Sequence, residues 1–424
     1  MPIKVVKTTK VAVIGSGIVG VCAAVELLKR GFEVTLIDKS GVAQACSKGN
    51  AGHFATEQVF PMANADLLTS LPKMLLERNG PLRIHPKQLL HSMPWFLRFC
   101  WNMHKSSYDK NKAALKSLNR LSIDAYETLL RETNLSHMLV KQGSLMVFEN
   151  TPQRQIIELL QNYQREGVAA DLLTGRQLHN YQVGLHKSVG AAINFLDVAH
   201  TTNPESLCLA LFNHFLSLGG QFLETSVDKI DSNHSSVCLG SAEGRFVFDM
   251  AIVAAGVWSK PLLEPLGYKV PLEAERGYHL MLPNTDYLNC PIASFERKMI
   301  MTPMNKGLRI AGTVEFAGIN RPADYSRAKM LGNHASALLE EVGQLTVEQA
   351  QLDNSNLWMG MRPSFPDSLP VIGQAPKHPR LYLAFGHSHL GLTQAATSAR
   401  LLAQLIQQES TAIDMRPFCL SRFN

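Results

Sequence analysis

VAVIGSGIVG, residues 11–20, is the stretch that decides the fold of this chain. Its first four residues form a continuous apolar run, which is typical of a strand buried on both faces of a parallel sheet. Gly15 opens a turn, a helix is predicted over residues 18–30 with Gly31 at its C-terminal end, and a second strand is predicted over residues 34–37. Together these pieces predict a βαβ unit at the start of the chain.

The three glycines of this turn are each predicted to have a different structural role. Gly15 permits the tight turn, Gly17 lets the backbone approach a pyrophosphate, and Gly20 lets the helix pack closely on the strand. The helix N-terminus offers its amides to the anion. A GxGxxG pattern alone is a weak signal, but here it follows a strand and has Asp38 at the end of the next strand. An acid at that position accepts hydrogen bonds from a ribose diol, so the sequence predicts a dinucleotide site.

Two later segments favour FAD over a nicotinamide dinucleotide. Residues 249–259, DMAIVAAGVWS, predict a strand that leads into a turn of small residues, where a second backbone segment can pass close to a large cofactor. Val227 follows a strand predicted over residues 221–226 and is placed to lie against an adenine. Taken alone, either segment is more often plain sheet core.

The bulk composition excludes several classes of protein. The chain has 424 residues, of which 46% are hydrophobic and 18% charged, so extended disorder is disfavoured. The net charge of +6 is spread along the chain, which argues against nucleic-acid binding but is compatible with an anionic membrane surface. The seven cysteines form no CxxC pair and no metal-site spacing, as expected for reduced thiols. With no secretory pattern at the N-terminus and no apolar run long enough to span a bilayer, we expect a cytoplasmic protein.

The order of predicted elements indicates two interleaved domains. Residues 64–190 are predicted to be mostly helical, and residues 270–319 to be rich in strands, followed by a helix over residues 322–342. A strand over residues 381–384 and a helix over residues 392–408 return to the pattern of the N-terminus. We therefore predict an α/β plus α+β fold, in which a Rossmann-like FAD-binding domain (residues 1–63, 191–269 and 350–424) carries an inserted mixed-sheet substrate or cap domain (residues 64–190 and 270–349).

Five further motifs carry a family resemblance. They are SKGNAG at residues 47–52, AAGVWS at residues 254–259, GMRP at residues 360–363, PDSLPVIG at residues 366–373 and GHSHLGLT at residues 386–393. With the glycine turn, they make the chain similar to the D-amino-acid oxidase superfamily and, within it, to the D-amino-acid dehydrogenase small-subunit type. The resemblance covers nearly the whole chain and is far more specific than any single motif.

The resemblance implies a site for non-covalent FAD. Cys46 and His53 lie in the neighbourhood where relatives attach the flavin covalently, so that possibility stays open. The helix after residues 386–393 is expected to point its N-terminus at the flavin O2 carbonyl and to stabilise negative charge on the ring. The predicted cofactor-binding residues are Gly15, Gly17, Ile18, Val19, Gly20, Asp38, Lys39, Ser47, Asn50, Ala51, Gly52, Val227, Ala255, Gly256, Trp258, Gly386, His387, His389, Leu390, Gly391, Leu392 and Thr393.

Four side chains are candidates for the substrate site. Arg362 matches the arginine that binds the substrate carboxylate in the superfamily, a task that suits its planar fork. Tyr278 and His279 begin a strand and point to opposite faces, so Tyr278 is a candidate donor to the carboxylate, while His279 either contacts the amine or packs. His53 directly follows the Asn50–Gly52 loop and is a candidate for reaching the pocket.

These implications predict the oxidation of a D-amino acid to its imine by hydride transfer from Cα to flavin N5. The imine then hydrolyses to a 2-oxo acid, and no obligatory general base is evident. The variants at residues 50–53 and 276–279 look most similar to members that act on D-proline or 4-hydroxy-D-proline. Electrons are expected to pass to a quinone or another respiratory acceptor. The alternatives are an oxygen-using oxidase of glycine or sarcosine and a non-catalytic flavin-binding protein.

One aromatic stretch, residues 93–101, bears on where the protein works. MPWFLRFCW is flanked by histidines and lysines and could anchor the protein at the inner face of the membrane. A helix that packs within the substrate domain is the alternative interpretation.

Overall fold

The helices and strands below come from a computed structural model, which describes residues 8–77, 80–283, 288–340 and 344–423. The predicted domain segments include residues 1–7, 78–79, 284–287, 341–343 and 424, which lie outside the described residues. The strands are β1 Lys10–Ile14, β2 Glu33–Asp38, β3 His53–Phe54, β4 Leu82–Ile84, β5 Ser144–Phe148, β6 Ala170–Thr174, β7 Ala191–Phe195, β8 Ala199–His200, β9 Gln221–Glu224, β10 Lys229–Ser232, β11 Val237–Ser241, β12 Gly244–Phe248, β13 Met250–Val253, β14 Glu273–Pro283, β15 Ile292–Ser294, β16 Met299–Met304, β17 Gly307–Phe316, β18 Leu357–Ser364, β19 Val371–Ala375 and β20 His378–Phe385. The helices are α1 Ile18–Lys29, α2 Cys46–Gly49, α3 Asp66–Leu76, α4 Pro86–Asn102, α5 Lys105–Asn119, α6 Ser122–Glu132, α7 Gln153–Arg165, α8 Gly175–Tyr181, α9 Pro204–Ser217, α10 Ser259–Leu263, α11 Ser326–Leu338, α12 Gln344–Leu352 and α13 Gly391–Ile406.

The first sheet is built around the strand that opened the sequence. Its six strands run in the order β19-β20-β13-β1-β2-β9, and they are parallel except for the antiparallel edge pair β19–β20. β1 is buried on both faces because Val11 and Val13 point to the layer of α1, α9 and α13. Ala12 and Ile14 point to the opposite layer, which holds the small β10–β12 sheet and α10. The Rossmann-like fold predicted from the sequence is confirmed.

The second sheet is mixed, as the sequence predicted. Eight strands follow the order β18-β14-β17-β16-β15-β5-β7-β6, and β4 pairs in parallel with β17. One face packs on α11 and α12, with Leu280 and Leu282 of β14 in contact with Leu331 and Val347 in a shared apolar core. A separate cluster around Tyr163 packs α7 against β5 to β7.

The division into two domains stays a prediction, but several predicted boundaries differ from the observed packing. β7 and β18 fall in segments assigned to the FAD-binding domain, yet both pair in the nine-stranded sheet. α5 and α6 fall in the predicted substrate segment, yet their apolar faces pack in the core of α1 and α13. Tyr126 of α6 shows the reason, since its ring is fully buried there and its hydroxyl donates to Leu392 O across 2.7 Å. The helices thus bury their apolar stripes where the largest apolar surface is available.

The aromatic stretch at residues 93–101 is part of α4, and both of its sequence interpretations have a counterpart in the helix. Trp95 is buried, stacks on Phe99 at 5.0 Å and donates from Nε1 to Ser364 O. The opposite side, which we call the α4 face, exposes Leu90, Met93, Leu97 and Trp101. Within the described residues, no helix has the length and apolar character needed to cross a membrane.

Candidate active site

A single cavity of about 560 Å³ lies between the two sheets and gathers most of the predicted site residues. One end is formed by the turns that follow β1, β2 and β13, and the other by the turn before α13. The nine-stranded sheet covers it through β14, β17 and β18. The predicted cofactor residues that line it are Gly15, Gly17, Ile18, Val19, Asp38, Ser47, Asn50, Ala51, Ala255, Gly256, Trp258, Gly386, His387, His389, Gly391 and Leu392.

The glycine turn has the geometry expected of a phosphate-binding loop. Gly15 has φ +109°, and a Cβ there would lie 2.5 Å from Ala254 O. A Cβ on Gly20 would lie 1.8 Å from Gly15 O, so this glycine allows α1 to pack on the turn. A Cβ on Gly17 would meet only Ser47 Oγ, at 3.2 Å, which leaves its backbone open to the cavity. The start of α1 is therefore accessible to an anion.

Asp38 lies at the end of β2 and borders the cavity, as predicted. Its carboxylate accepts from the backbone amide of Ser16 at 2.8 Å and from that of Ser40 at 3.0 Å. Ser47 holds the first turn of α1 in place, because its Oγ accepts a hydrogen bond from the backbone amide of Ile18 at 2.8 Å. The acid is thus held rigidly at the position where a ribose is expected.

The Asn50–Gly52 loop is fixed by its own hydrogen bonds. The side-chain Oδ1 of Asn50 accepts a hydrogen bond from Gly52 N at 2.8 Å. The backbone carbonyl oxygen of Asn50 accepts one from Arg309 Nη1 at 2.7 Å. Burial lowers the pKa of Arg309 to about 10, so the guanidinium stays charged at neutral pH. Cys46 also borders this loop, and burial raises the pKa of its thiol to about 11.

The turn before α13 closes the far end of the cavity. Gly386 has φ +83°, and a Cβ there would lie 2.1 Å from the Phe365 ring. His387 Nε2 pairs with Ser398 Oγ at 2.9 Å, and burial lowers the pKa of His387 to about 3. His389 borders the cavity, and desolvation by the surrounding protein lowers its pKa. The N-terminus of α13 meets the cavity at Gly391, which places its positive dipole end there.

Six predicted cofactor residues lie outside the lining. Gly20 and Gly52 act through backbone packing, and Lys39 lies over the Trp258 ring, with Nζ 4.4 Å from its centroid. Thr393 Oγ1 accepts from Ala55 N, Leu390 is buried in the core beside α13, and Val227 packs against the layer of α10. None of these side chains borders the cavity, although several support residues that do.

Arg362 projects from β18 into the cavity, directly opposite Glu275 of β14. Its Nη1 donates to Glu275 Oε1 at 3.0 Å and to Thr313 O at 3.4 Å. Within the described residues its Nε and Nη2 make no hydrogen bond, so two donors of the fork remain for a ligand. Gly277 makes room for this side chain, because a Cβ there would lie 2.2 Å from Nη2.

Tyr278 differs from its predicted contact, whereas His279 packs, which is one of its two predicted roles. Tyr278 borders the cavity, but its hydroxyl, predicted to donate to the substrate carboxylate, donates instead to Glu315 Oε2 at 2.6 Å. Burial and this hydrogen bond raise the pKa of Tyr278 to about 12. His279 donates from Nδ1 to Gly49 O at 2.8 Å and stacks on Trp358, with ring centroids 5.1 Å apart. The strand alternation was predicted, but Tyr278 already has a buried acceptor and His279 packs outside the cavity lining.

His53 borders the cavity as predicted, and Glu57 accompanies it. His53 Nε2 lies 2.9 Å from Glu57 Oε1, and both side chains are more than nine-tenths buried. Glu57 and Glu275 were not among the site residues predicted from the sequence. Glu57 gave no signal because residues 53–57 are not helical, so its distance of four residues from His53 does not by itself place the two side chains together. Glu275 can be recognised only once β14 and β18 are paired, because that pairing places it opposite Arg362.

The residues that line the cavity fit FAD. Close-approach glycines, a helix start and a fixed acid at one end, and a second helix start at the other, all face one cavity. Residues 10–405 match the family described as FAD dependent oxidoreductase. The chain belongs to this family and is an FAD-dependent oxidoreductase, which confirms the predicted cofactor.

Curated relatives extend over almost the whole chain. A D-amino-acid oxidase of Bradyrhizobium diazoefficiens is 31% identical over 420 residues, covering 97% of this chain and 98% of the relative. A D-amino acid dehydrogenase of Vibrio vulnificus is 28% identical over 415 residues, covering 95% and 97%. These relatives support the predicted superfamily.

Solved structures show the same fold. Glycine oxidase from Geobacillus kaustophilus superposes with a TM-score of 0.74 at 21% identity, covering 98% of this chain and 99% of that one. L-proline dehydrogenase from P. horikoshii superposes with a TM-score of 0.72 at 17% identity, covering 98% of each chain.

Proposed function

We propose that the protein oxidises a D-amino acid to its imine and thereby acts as an FAD-dependent D-amino-acid dehydrogenase. The observation that carries this proposal is Arg362, whose Nε and Nη2 are free within the described residues and whose side chain borders the cavity. A guanidinium fork binds a carboxylate in two places. The names of the relatives, one an oxidase and one a dehydrogenase of D-amino acids, support the D configuration.

The residues around Arg362 orient the substrate. Glu275 is buried and holds Nη1, while its second oxygen accepts from Ser364 Oγ at 3.0 Å. The guanidinium plane is therefore fixed before a substrate arrives, which reduces the entropy lost on binding. Bound FAD supplies the acceptor for the hydride of the substrate Cα. The protein contributes the carboxylate contact, the orientation of Cα and the exclusion of water by the covering sheet.

A cyclic secondary amine, D-proline or 4-hydroxy-D-proline, is the substrate class we propose. Beyond the polar end at Arg362, the cavity has an apolar lining in which Leu145, Met146, Phe195 and Ile300 take part. A pyrrolidine ring presents methylene edges to such a wall, and desolvating them is favourable. The resemblance at residues 50–53 and 276–279 points to the same substrates.

The electron acceptor is proposed to be a quinone at an anionic membrane surface. The α4 face supports this, because Leu90, Leu97 and Trp101 are 80%, 66% and 76% exposed on a helix that also carries Lys87 and Arg98. Exposed apolar side chains with nearby cations are typical of interfacial helices. Oxygen is the second candidate acceptor, favoured by the relative named as an oxidase.

Anaerobic bleaching of the flavin absorbance tests this proposal. The holoenzyme is mixed with D- and L-proline, 4-hydroxy-D-proline, D-alanine, glycine and sarcosine. We expect rapid bleaching with the D-proline compounds and none with L-proline. Bleaching by glycine or sarcosine with stoichiometric peroxide release in air would instead establish an oxidase, and an oxidised flavin with every amine would establish a non-catalytic protein.

A further inference from the structure

Two cationic side chains line the active-site cavity, and the substrate carboxylate accounts for only one of them. Among the described residues, Arg362 and Lys298 are the arginine and lysine that border this cavity. Lys298 lies in the turn between β15 and β16, two residues before Ile300 of the apolar wall. A cation in an apolar wall favours a ligand that brings a polar group to it, because covering the charge with apolar groups is unfavourable.

The three consecutive charged residues of this turn differ in how they are paired. Glu296 Oε1 accepts hydrogen bonds from the three backbone amides of residues 149–151. Arg297 donates to both carboxylate oxygens of Glu149 at 2.7 Å. Within the described residues, Nζ of Lys298 makes neither an ion pair nor a hydrogen bond. The turn therefore satisfies two of its charges internally and leaves the third for a ligand.

The Lys298 side chain is held in position and remains accessible. Its Nζ lies 4.2 Å from the centroid of the Phe295 ring, and that ring packs on Phe148 with centroids 5.2 Å apart. The residue is exposed, so a ligand can reach its side chain. Loss of hydration lowers the pKa of Lys298, and the charge of Glu296 offsets this only in part. The ammonium is thus stabilised by any acceptor that replaces the lost water.

The backbone of Lys298 is in the left-handed region, with φ +54°. Glycine is the usual residue at such a position, since a residue with a Cβ atom is strained there. A lysine at a strained position beside a cavity indicates a task for its side chain.

Lys298 and Arg362 approach the same point of β17 from opposite sides. Arg362 Nη1 donates to Thr313 O at 3.4 Å, and Met299, the residue after Lys298, pairs with Gly312. The carbonyl oxygen of Lys298 would lie 3.2 Å from a Cβ on Gly312. Since neighbouring strands are about 4.8 Å apart, one small amino acid can span the distance from the guanidinium to the ammonium.

4-Hydroxy-D-proline carries an acceptor on the side of its ring remote from the carboxylate, and this inference rests on the proposed function. We propose that Lys298 determines specificity by donating a hydrogen bond to the C4 hydroxyl of 4-hydroxy-D-proline while Arg362 holds the carboxylate. A second carboxylate would instead bring about four acceptor sites to a wall with one cation, so acidic D-amino acids fit less well. The enzyme therefore selects the hydroxylated ring over D-proline.

The second-order rate constant of flavin reduction, measured by anaerobic stopped flow with the holoenzyme, tests this proposal. We expect 4-hydroxy-D-proline to exceed D-proline by about 10- to 100-fold in wild type, the range for a hydrogen bond to a charged group. Because the ammonium lies on one side of the ring, the advantage should be confined to one of the two C4 epimers. Lys298→Met keeps the length but removes the charge, and it should lower this ratio by about 10-fold or more.

A ratio and two further variants exclude a purely structural effect. Since each ratio compares two substrates on one protein, a loss of folded or FAD-loaded enzyme cancels. Lys298→Arg keeps a charged donor and should retain part of the preference. Lys306→Met removes an exposed lysine from the next turn, between β16 and β17, and is the matched control that should leave the ratio unchanged.

The outcomes separate this inference from the proposed function. If D-proline reduces the wild-type flavin but both C4 epimers react no faster, or if Lys298→Met keeps the wild-type ratio, Lys298 does not bind the hydroxyl. If D-aspartate or D-glutamate reacts faster than 4-hydroxy-D-proline and loses that advantage in Lys298→Met, the ligand is a second carboxylate and the assignment is wrong. If no amino acid reduces the wild-type flavin, the proposed function fails and this inference fails with it.

Discussion

Arg362 and Glu275 lie directly opposite each other on β18 and β14, and Arg362 Nη1 donates to Glu275 Oε1 across 3.0 Å. The pair joins an edge strand to its neighbour within the cavity. Because Glu275 is buried, its charge needs the guanidinium, while the half-buried arginine keeps donors for a second carboxylate. The Arg362 guanidinium is thus paired permanently with Glu275 and keeps donors for the carboxylate of a substrate.

Replacing Arg362 with Lys should weaken substrate binding more than it slows the chemical step. Lysine keeps the charge but loses the fork, so we expect the KM for D-proline to rise about 10- to 100-fold with a smaller change in kcat. Steady-state kinetics and the binding of pyrrole-2-carboxylate measure this effect. Arg400→Lys, at an exposed position within α13, is the control, and an unchanged KM in Arg362→Lys would contradict the assignment.

Gly15→Ala should abolish FAD binding, whereas Gly31→Ala should not. Both glycines have a positive φ, but an added Cβ meets Ala254 O at 2.5 Å at Gly15 and nothing within 4 Å at Gly31. We expect Gly31→Ala to lower the free energy of unfolding by about 1–2 kcal/mol, the cost of the left-handed backbone alone. The FAD dissociation constant by fluorescence and urea unfolding test this pair, and equal effects in both variants would refute the role of the turn.

Mild acid should destabilise the protein through its buried histidines. Burial lowers the pKa of His279 and His387 to about 3 and that of His200 to about 4, from an ordinary value of 6.5. Between about pH 6.5 and 4 the unfolded chain takes up protons that the folded chain does not, so stability falls with falling pH. Each histidine contributes up to about 1.4 kcal/mol per pH unit.

Urea unfolding at several pH values separates this effect from that of the carboxylates. His279→Gln is expected to reduce the slope of stability against pH in this window, while His137→Gln is not. Identical slopes in wild type and His279→Gln would show that His279 titrates alike in both states.

The α4 face should bind anionic vesicles. We expect the protein to sediment with vesicles of phosphatidylcholine and phosphatidylglycerol and less with phosphatidylcholine alone. Leu97→Gln with Trp101→Ser should lower the bound fraction several-fold. Leu352→Gln removes an equally exposed apolar side chain on α12 and serves as the control. Equal binding by both variants would exclude the α4 face as the contact.

The fold of the cofactor side could be predicted from the sequence because its signals are local. Residues 11–20 carry strand, turn and helix start in consecutive positions, and Asp38 follows at a fixed distance. The wider site could not be predicted in this way. Glu275 meets Arg362 only through the register of β14 with β18, and Glu57 meets His53 across an irregular segment.

The domain limits illustrate the same difference between local and non-local signals. Helices were predicted within residues 64–190, where α5 and α6 lie, but periodicity carries no information on which core buries their apolar stripes. Tyr278 was correctly predicted to face away from His279. Its partner, Glu315, lies on β17 and could be identified only once the two strands were paired.

The chain crosses between the two sheets repeatedly, and β18 of one sheet leads within a few residues to β19 of the other. A fragment cut from the chain at any one point would therefore leave each sheet short of strands. Transplanting the substrate-covering sheet from a relative would require several simultaneous exchanges, including β4 to β7, β14 to β17 and β18. Changes of substrate preference should accordingly arise through point substitutions in the cavity wall more readily than through the exchange of modules.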